Sequence, residues 1–281
     1  MEMRGKSIPD NVGALFMANG SLEASEKLED RDFGKKTNVY EVVRIIRGIP
    51  LFFEDHYSRL KKSLDLLGME IKIPRQELRK KISELIEANG QQNCNVKILV
   101  YPEADRQDSI MYISKSFYPG SNEIEKGVKT ALLHFERDNP NIKIGDDAYK
   151  EMVSKKIEES GVFEVVLVNA MDKITEGSKS NIFFVNGSRV FTAPDEYVLK
   201  GVTRQQVLNV CKKLDLEVIE TLISVHSLAE IEGVFLSGTS IKVLPVSRID
   251  SHDYRSATHP TITVIREQYD RLVEEYLNNN K

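Results

Sequence analysis

Cysteine is scarce in this chain: only Cys94 and Cys211 occur, far apart in the 281 residues. Two reduced thiols are expected rather than a disulfide. Histidine is also sparse, at five residues, and no Cys/His cluster has metal-ligand spacing, so no metal centre is expected. The opening segment MEMRGKSIPDNVG has no apolar core of a secretory signal. No window approaches the roughly 18 to 20 apolar residues of a membrane span. The net charge of −4 brings no basic excess or stripe, which argues against a nucleic-acid binder. Internal repeats and low-complexity segments are absent. On these grounds a globular protein of the cytoplasm is expected. The hydrophobic fraction of 41% supports a sizeable core, and the length fits one large domain or two smaller ones.

The pattern is an α+β mixture. Val39 to Ile46 is β-branched and apolar, and Gly48-Ile49-Pro50 turns it into Leu51-Phe52-Phe53. Leu60, Leu64 and Leu67 fall at helical spacing in Glu54 to Leu67, with Gly68 as a stop. Pro74 opens a second helix, Gln76 to Ala88. Val96 to Val100 and Ile110 to Ser114 read as a strand pair around the polar turn Glu103 to Asp108. Phe117-Tyr118-Pro119-Gly120-Ser121-Asn122 reads as a linker, dividing the chain into domains 1–120 and 121–281. Beyond it, strands are expected at Val128 to Phe135, Glu164 to Val168, Asn181 to Val185, Arg189 to Phe191, Val218 to Ile223, Gly233 to Ser237 and Ile241 to Val246. Helices are expected at Ala148 to Ser160, Thr203 to Leu214, Ser227 to Ile231 and Thr261 to Leu277.

The most informative stretch is ITEGSKSNIFFV, Ile174 to Val185. It sets one carboxylate, Glu176, at the end of an apolar strand, followed by Gly177, Ser178, Ser180 and Asn181. A tight polar turn between buried strands is a place to build a site, although the plain reading is a β-hairpin with a charged corner. Four further segments accompany it: VYEVVRIIRG, DHYSRLKKSLDLLG, GVTRQQVLNVC and FLSGTSIKVLPVSRID.

Together, in this order, these segments resemble the fold-type IV (class IV) aminotransferases, from about Asn19 to Leu277. That group includes branched-chain aminotransferases, D-amino acid aminotransferases and aminodeoxychorismate lyases. The resemblance implies a small α/β N-terminal domain, a larger barrel-like C-terminal cofactor domain, pyridoxal 5'-phosphate (PLP) as cofactor, and a homodimer. It makes Lys143, in Asn141-Ile142-Lys143-Ile144-Gly145-Asp146, the lysine that links to PLP and moves the substrate α-proton. Lys150 is the next candidate, inside a helix rather than at a strand end. Glu176 would face the pyridine nitrogen, keeping the ring protonated. Arg59 matches the phosphate arginine, whose fork suits phosphate oxygens. Val202 and Thr203, at a turn into a helix, supply a helix N-terminus that favours anions. Thr239 matches the hydroxyl that closes the phosphate cup. Tyr40 would line the substrate side; Tyr149 lies one position off the register of the family tyrosine that bonds the ring oxygen.

Substrates by resemblance are an amino acid and a 2-oxo acid. D-amino acid enzymes carry an Arg-x-His near the strand Val96 to Glu103, and the lyases an Arg-Gly-rich segment. Here that strand has no arginine, and Pro102 falls about where one is expected. The branched-chain type binds the substrate carboxylate largely through backbone N–H groups of the loop matching Thr239 and Ser240, with apolar and aromatic side chains around it. Tyr101, Tyr40 and Phe33 could serve so. The reading therefore favours a branched-chain-like aminotransferase using 2-oxoglutarate, with the lyase and the D-amino acid enzyme as alternatives.

Overall fold

The computed structural model describes residues 10–29, 38–102 and 107–281. The chain divides into two compact units: Met1–Phe117 with Ile142–Gly145 and Tyr276–Lys281, and Tyr118–Asn141 with Asp146–Glu275. The chain leaves the first unit inside the segment expected as a linker. Ile142–Gly145 groups with the first unit because its backbone bonds to strand Val39–Ile46 there. Tyr276 does so because its ring meets Phe52 and its hydroxyl bonds Glu54.

In the first unit the strands are β1 (Leu15–Ala18), β2 (Ser21–Ala24), β3 (Val39–Ile46), β4 (Ile49–Pro50), β5 (Cys94–Pro102) and β6 (Gln107–Ser114), and the helices α1 (Glu26–Glu29), α2 (Phe53–Asp65) and α3 (Arg75–Ala88). The sheet order is β2-β1-β6-β5-β3-β4. β3 alternates strictly between buried and half-buried positions, so Val39, Glu41, Val43 and Ile45 share its inner face. Arg47 and Gly48, both at positive φ, form the two-residue turn into β4. Leu60 and Leu64 of α2 and Ile82 and Leu85 of α3 close the core against that face. The β1–β2 hairpin is absent from the sequence reading, because its outer strand Ser-Leu-Glu-Ala carries no β-branched run.

In the second unit the strands are β7 (Val128–His134), β8 (Glu164–Val168), β9 (Lys173–Gly177), β10 (Asn181–Asn186), β11 (Arg189–Thr192), β12 (Val218–Glu220), β13 (Ile223–Ser224), β14 (Gly233–Gly238), β15 (Lys242–Ile249) and β16 (His252–Asp253). The helices are α4 (Ser121–Lys126), α5 (Asp147–Ser160), α6 (Val202–Lys213) and α7 (Pro260–Asn279). The order β12-β11-β10-β14-β15-β7-β8-β9-β13 puts β12 and β13 at opposite ends of the sheet. Only Thr221 and Leu222 separate those two strands in the chain, so the sheet curls and brings its two edges near each other, as a half-barrel. The single strand expected over Val218 to Ile223 is therefore two short ones on opposite edges. The helix expected over Ser227 to Ile231 is instead a 3₁₀ turn, Val225–Glu230. The last two residues of the expected linker, Ser121 and Asn122, open the short helix α4. Among the described residues no helix is long and apolar enough to cross a membrane.

Candidate active site

Glu41 breaks the apolar face of β3, and a buried carboxylate needs partners. They come from α2. Arg59 donates from Nε to Oε1 and from Nη2 to Oε2, both at 2.7 Å, and His56 Nδ1 lies 2.9 Å from Oε2. The α-helical spacing of His56 and Arg59 turns both toward the sheet. Burial pushes the Glu41 carboxyl up, but the Arg59 charge and the bonds from Arg59 and His56 outweigh it and hold it at about 2. His56 is lowered by its burial, and by the positive charges of Arg59 and Lys143, against the pull of Glu41. A neutral His56 then donates its Nδ1 proton to an ionised Glu41.

Lys143 stands beside this group. Tyr40 N donates to Lys143 O at 2.9 Å, Gly145 N to Asn38 O at 3.1 Å, and Val39 bridges Ile144. A Cβ at Gly145 would lie 2.8 Å from Asn38 Oδ1, so a larger residue there would displace the Asn38 side chain. The Lys143 ammonium lies 4.5 Å from the centre of the Tyr40 ring. A second ammonium, Lys97 on β5, lies 5.8 Å from the same ring and 5.6 Å from that of Tyr112, paired with Asp10 at 3.1 Å. Tyr101 is buried in a small cluster with Phe16, Leu28, Leu99 and Tyr112, against which Tyr40 packs. Phe33 lies outside the described residues.

Glu176 belongs to the second unit, at the end of β9, and is 3% exposed. The turn after it is not a hairpin: β9 pairs with β8 and β13, whereas β10 pairs with β11 and β14. Both carboxylate oxygens are held. Arg137 Nη1 donates to Oε1 at 2.9 Å, while Leu199 N and Asn181 Nδ2 donate to Oε2 at 3.0 and 3.3 Å. The turn has its own anchor in Glu164 of β8, whose Oε1 accepts Lys179 N at 2.6 Å, Ser180 Oγ at 3.1 Å and Ser178 Oγ at 3.3 Å. Burial raises the Glu164 carboxyl above its usual range. Tyr149 reaches the same turn, donating to Ser178 O at 3.0 Å. Lys150 lies exposed on α5, paired with Asp147.

Helix α6 starts at Val202 after Gly201, with no side chain capping its first turn. Val202 and Thr203 are buried there, and the Thr203 side chain bonds Tyr269 of α7. Arg204, almost wholly buried, donates to Asp195 at 2.7 Å and to Ala193 O at 3.0 Å, which fixes the loop carrying Leu199. Thr239 and Ser240 lie half-buried in the turn between β14 and β15. Just before them the buried hydroxyl of Ser237 has no partner. A helix N-terminus without a side-chain cap, two threonine hydroxyls, a held carboxylate and an unpartnered buried hydroxyl fit a phosphate-bearing, nitrogen-ring cofactor.

The amino-transferase class IV family model matches residues 38–249. The chain belongs to that family. Class IV aminotransferases are PLP enzymes, so this chain is an aminotransferase with PLP as its cofactor. Curated relatives include a D-alanine aminotransferase of Bacillus licheniformis, 26% identical over 87% of this chain and 92% of the relative. Another is a probable branched-chain-amino-acid aminotransferase of Thermotoga maritima, 27% identical over 84% of this chain and 86% of its own length. The branched-chain amino acid aminotransferase of Escherichia coli has a similar fold, with a TM-score of 0.82 at 22% identity, covering 93% of this chain and 95% of that one.

Four residues missed by the sequence reading are His56, Arg137, Glu164 and, as an ion-pair partner, Glu41. Glu41 left a signal, since it falls in phase with Val39, Val43 and Ile45. Arg137 left none beyond being an arginine in a loop before Lys143.

Proposed function

We propose that this aminotransferase takes its amino group from apolar, branched-chain-like L-amino acids and passes it to 2-oxoglutarate. The observation that carries this reading is β5. It ends Val100-Tyr101-Pro102 without arginine, and Tyr101 and Tyr40 share an apolar cluster there. A site of that lining favours an apolar side chain over a second polar group. Lys97 offers an ammonium beside Tyr40 for the distal carboxylate of the acceptor.

In this reading PLP, when bound, supplies the electron sink for the bond broken at the substrate Cα. Lys143 Nζ holds the cofactor and carries the proton to and from Cα. Glu176, held by Arg137, Asn181 and the Leu199 N–H, would accept a hydrogen bond from the protonated ring nitrogen. Arg59, the Val202 N–H and the hydroxyls of Thr203 and Thr239 hold the phosphate. Tyr40, Tyr101 and Ser240 contact the substrate. The enzyme works as a homodimer in the cytoplasm, a setting that suits its two free, buried cysteines.

A second reading, D-amino acid transamination, draws on relatives named D-alanine aminotransferase. Initial rates with 2-oxoglutarate and a panel of L- and D-amino acids separate the two. The account expects L-leucine, L-isoleucine or L-valine to lead. D-alanine in the lead would replace the first reading with the second, and release of an aryl amine from aminodeoxychorismate without any acceptor would point to the lyase.

A further inference from the structure

Glu41 is the one charged residue on the buried face of β3, among Val39, Val43 and Ile45. An apolar residue of similar size would be at least as favourable there for stability alone, since ionised groups lose hydration on burial. What Glu41 does that an apolar residue cannot is fix a direction. Its two oxygens take Nε and Nη2 of Arg59 at 2.7 Å each, a bidentate contact that sets the plane of the guanidinium. His56 Nδ1, 2.9 Å from Oε2, braces the carboxylate against rotation. The anchor is sealed, with Glu41 1% and His56 3% exposed, while the Arg59 side chain keeps 11%. All three sit on β3 and α2, inside one core, rather than on a loop.

We propose that Glu41 is a positioning residue that, braced by His56, aims the Arg59 guanidinium at the cofactor phosphate. The proposal rests on Arg59 being a phosphate ligand. Orientation and charge make opposite forecasts for its removal. A guanidinium relieved of its carboxylate has more net positive charge and would attract phosphate more strongly. A guanidinium that has lost its aim must be ordered at binding and holds phosphate less well.

The test is Glu41→Gln, with Arg59→Ala as reference, both as apoenzymes titrated with PLP and with pyridoxal, which lacks the phosphate. The expected result is a PLP Kd raised about tenfold with the pyridoxal Kd unchanged, the scale of one lost charge-assisted contact. Arg59→Ala should lower the same preference for the phosphorylated form, and the double variant should be no worse than Arg59→Ala. An unchanged or greater preference in Glu41→Gln, with Arg59→Ala impaired, would overturn the positioning role. Equal weakening of PLP and pyridoxal would reduce Glu41 to a structural residue and overturn it too. An unaffected Arg59→Ala would remove the reading beneath it. If Glu41→Gln does not fold, Glu41→Asp keeps the charge, shortens the reach, and is read by the same ratio.

Discussion

Lys97 and Lys143 both stand near the Tyr40 ring, yet they meet different surroundings. Lys143 is carried on a segment hydrogen-bonded to the edge of β3, close enough to His56 for its charge to be felt there. Lys97 projects from within β5, between two tyrosine rings and beside Asp10. The proposed function gives the first the chemistry and the second the recognition of charge. Lys97→Met should therefore raise the KM for 2-oxoglutarate about tenfold, the loss of one charge-assisted contact, and leave that for L-leucine unchanged. Equal KM changes for both substrates, in steady-state rates, would contradict that role. At this scale the sequence exposes residues that belong to motifs, as Lys143, Glu176 and Arg59 do. It conceals partners that are distant along the chain. Arg137 meets Glu176 across 39 positions, and nothing in the local pattern of either residue announces the pair.

Elements place these residues through their ends. The start of α6 and the turn after β9 are coupled by Asn181, whose Nδ2 donates both to Leu199 O at 2.8 Å and to Glu176. A Cβ at Gly201 would overlap Asn181 Oδ1. Gly201→Ala should therefore destabilise the protein by about 1–3 kcal/mol and also weaken PLP binding, because moving Asn181 loosens Glu176. Thermal unfolding and a PLP titration check both effects, and a variant as stable and as tight as the parent would contradict the coupling. Glu164 makes a pH-dependent forecast. Its carboxyl is raised in the folded state, so its favourable contribution is present below the ordinary carboxylate range and is lost as pH rises through the folded value. The Gln oxygen can still accept Lys179 N and the two serine hydroxyls. Glu164→Gln should thus gain stability relative to the parent as the pH is raised from 4 to 8, read as the difference in Tm; a constant difference would count against an ionising Glu164. Most strands and helices were legible from periodicity, within a residue or two at their ends. The turn at Ser178 to Ser180 was not, because hairpin and crossover share one local pattern, and only the pairing of β9 with β8 and β13 separates them.

For the molecule as a whole, the resemblance carried the curled sheet, which no single strand pattern encodes. The curl follows from β12 and β13, two residues apart in the chain, lying at opposite ends of one sheet. The division of the chain has the same origin. Ile142–Gly145 groups with the first unit through backbone bonds to Asn38 and Tyr40, a long-range pairing that composition does not reveal. Acid stability belongs to this scale as well. Glu41 falls from 4.5 to about 2 on folding, so its contribution is present above pH 4.5 and is lost as the pH drops toward 2. The difference corresponds to ~3 kcal/mol. His56, also lowered, works in the same direction, losing its contribution as the pH falls below its ordinary value of 6.5. In Glu41→Gln the fall of Tm between pH 4.5 and 2 should be shallower than in the parent, and a parallel fall would contradict the assignment.

The proposed function depends above all on Lys143 as the lysine that carries the cofactor. The most direct measurement is borohydride reduction of the PLP-loaded enzyme, followed by proteolysis and mass spectrometry of the labelled peptide. The account predicts one phosphopyridoxyl group, on Lys143. A label on Lys150 or any other lysine, or none at all, would contradict the site as assigned.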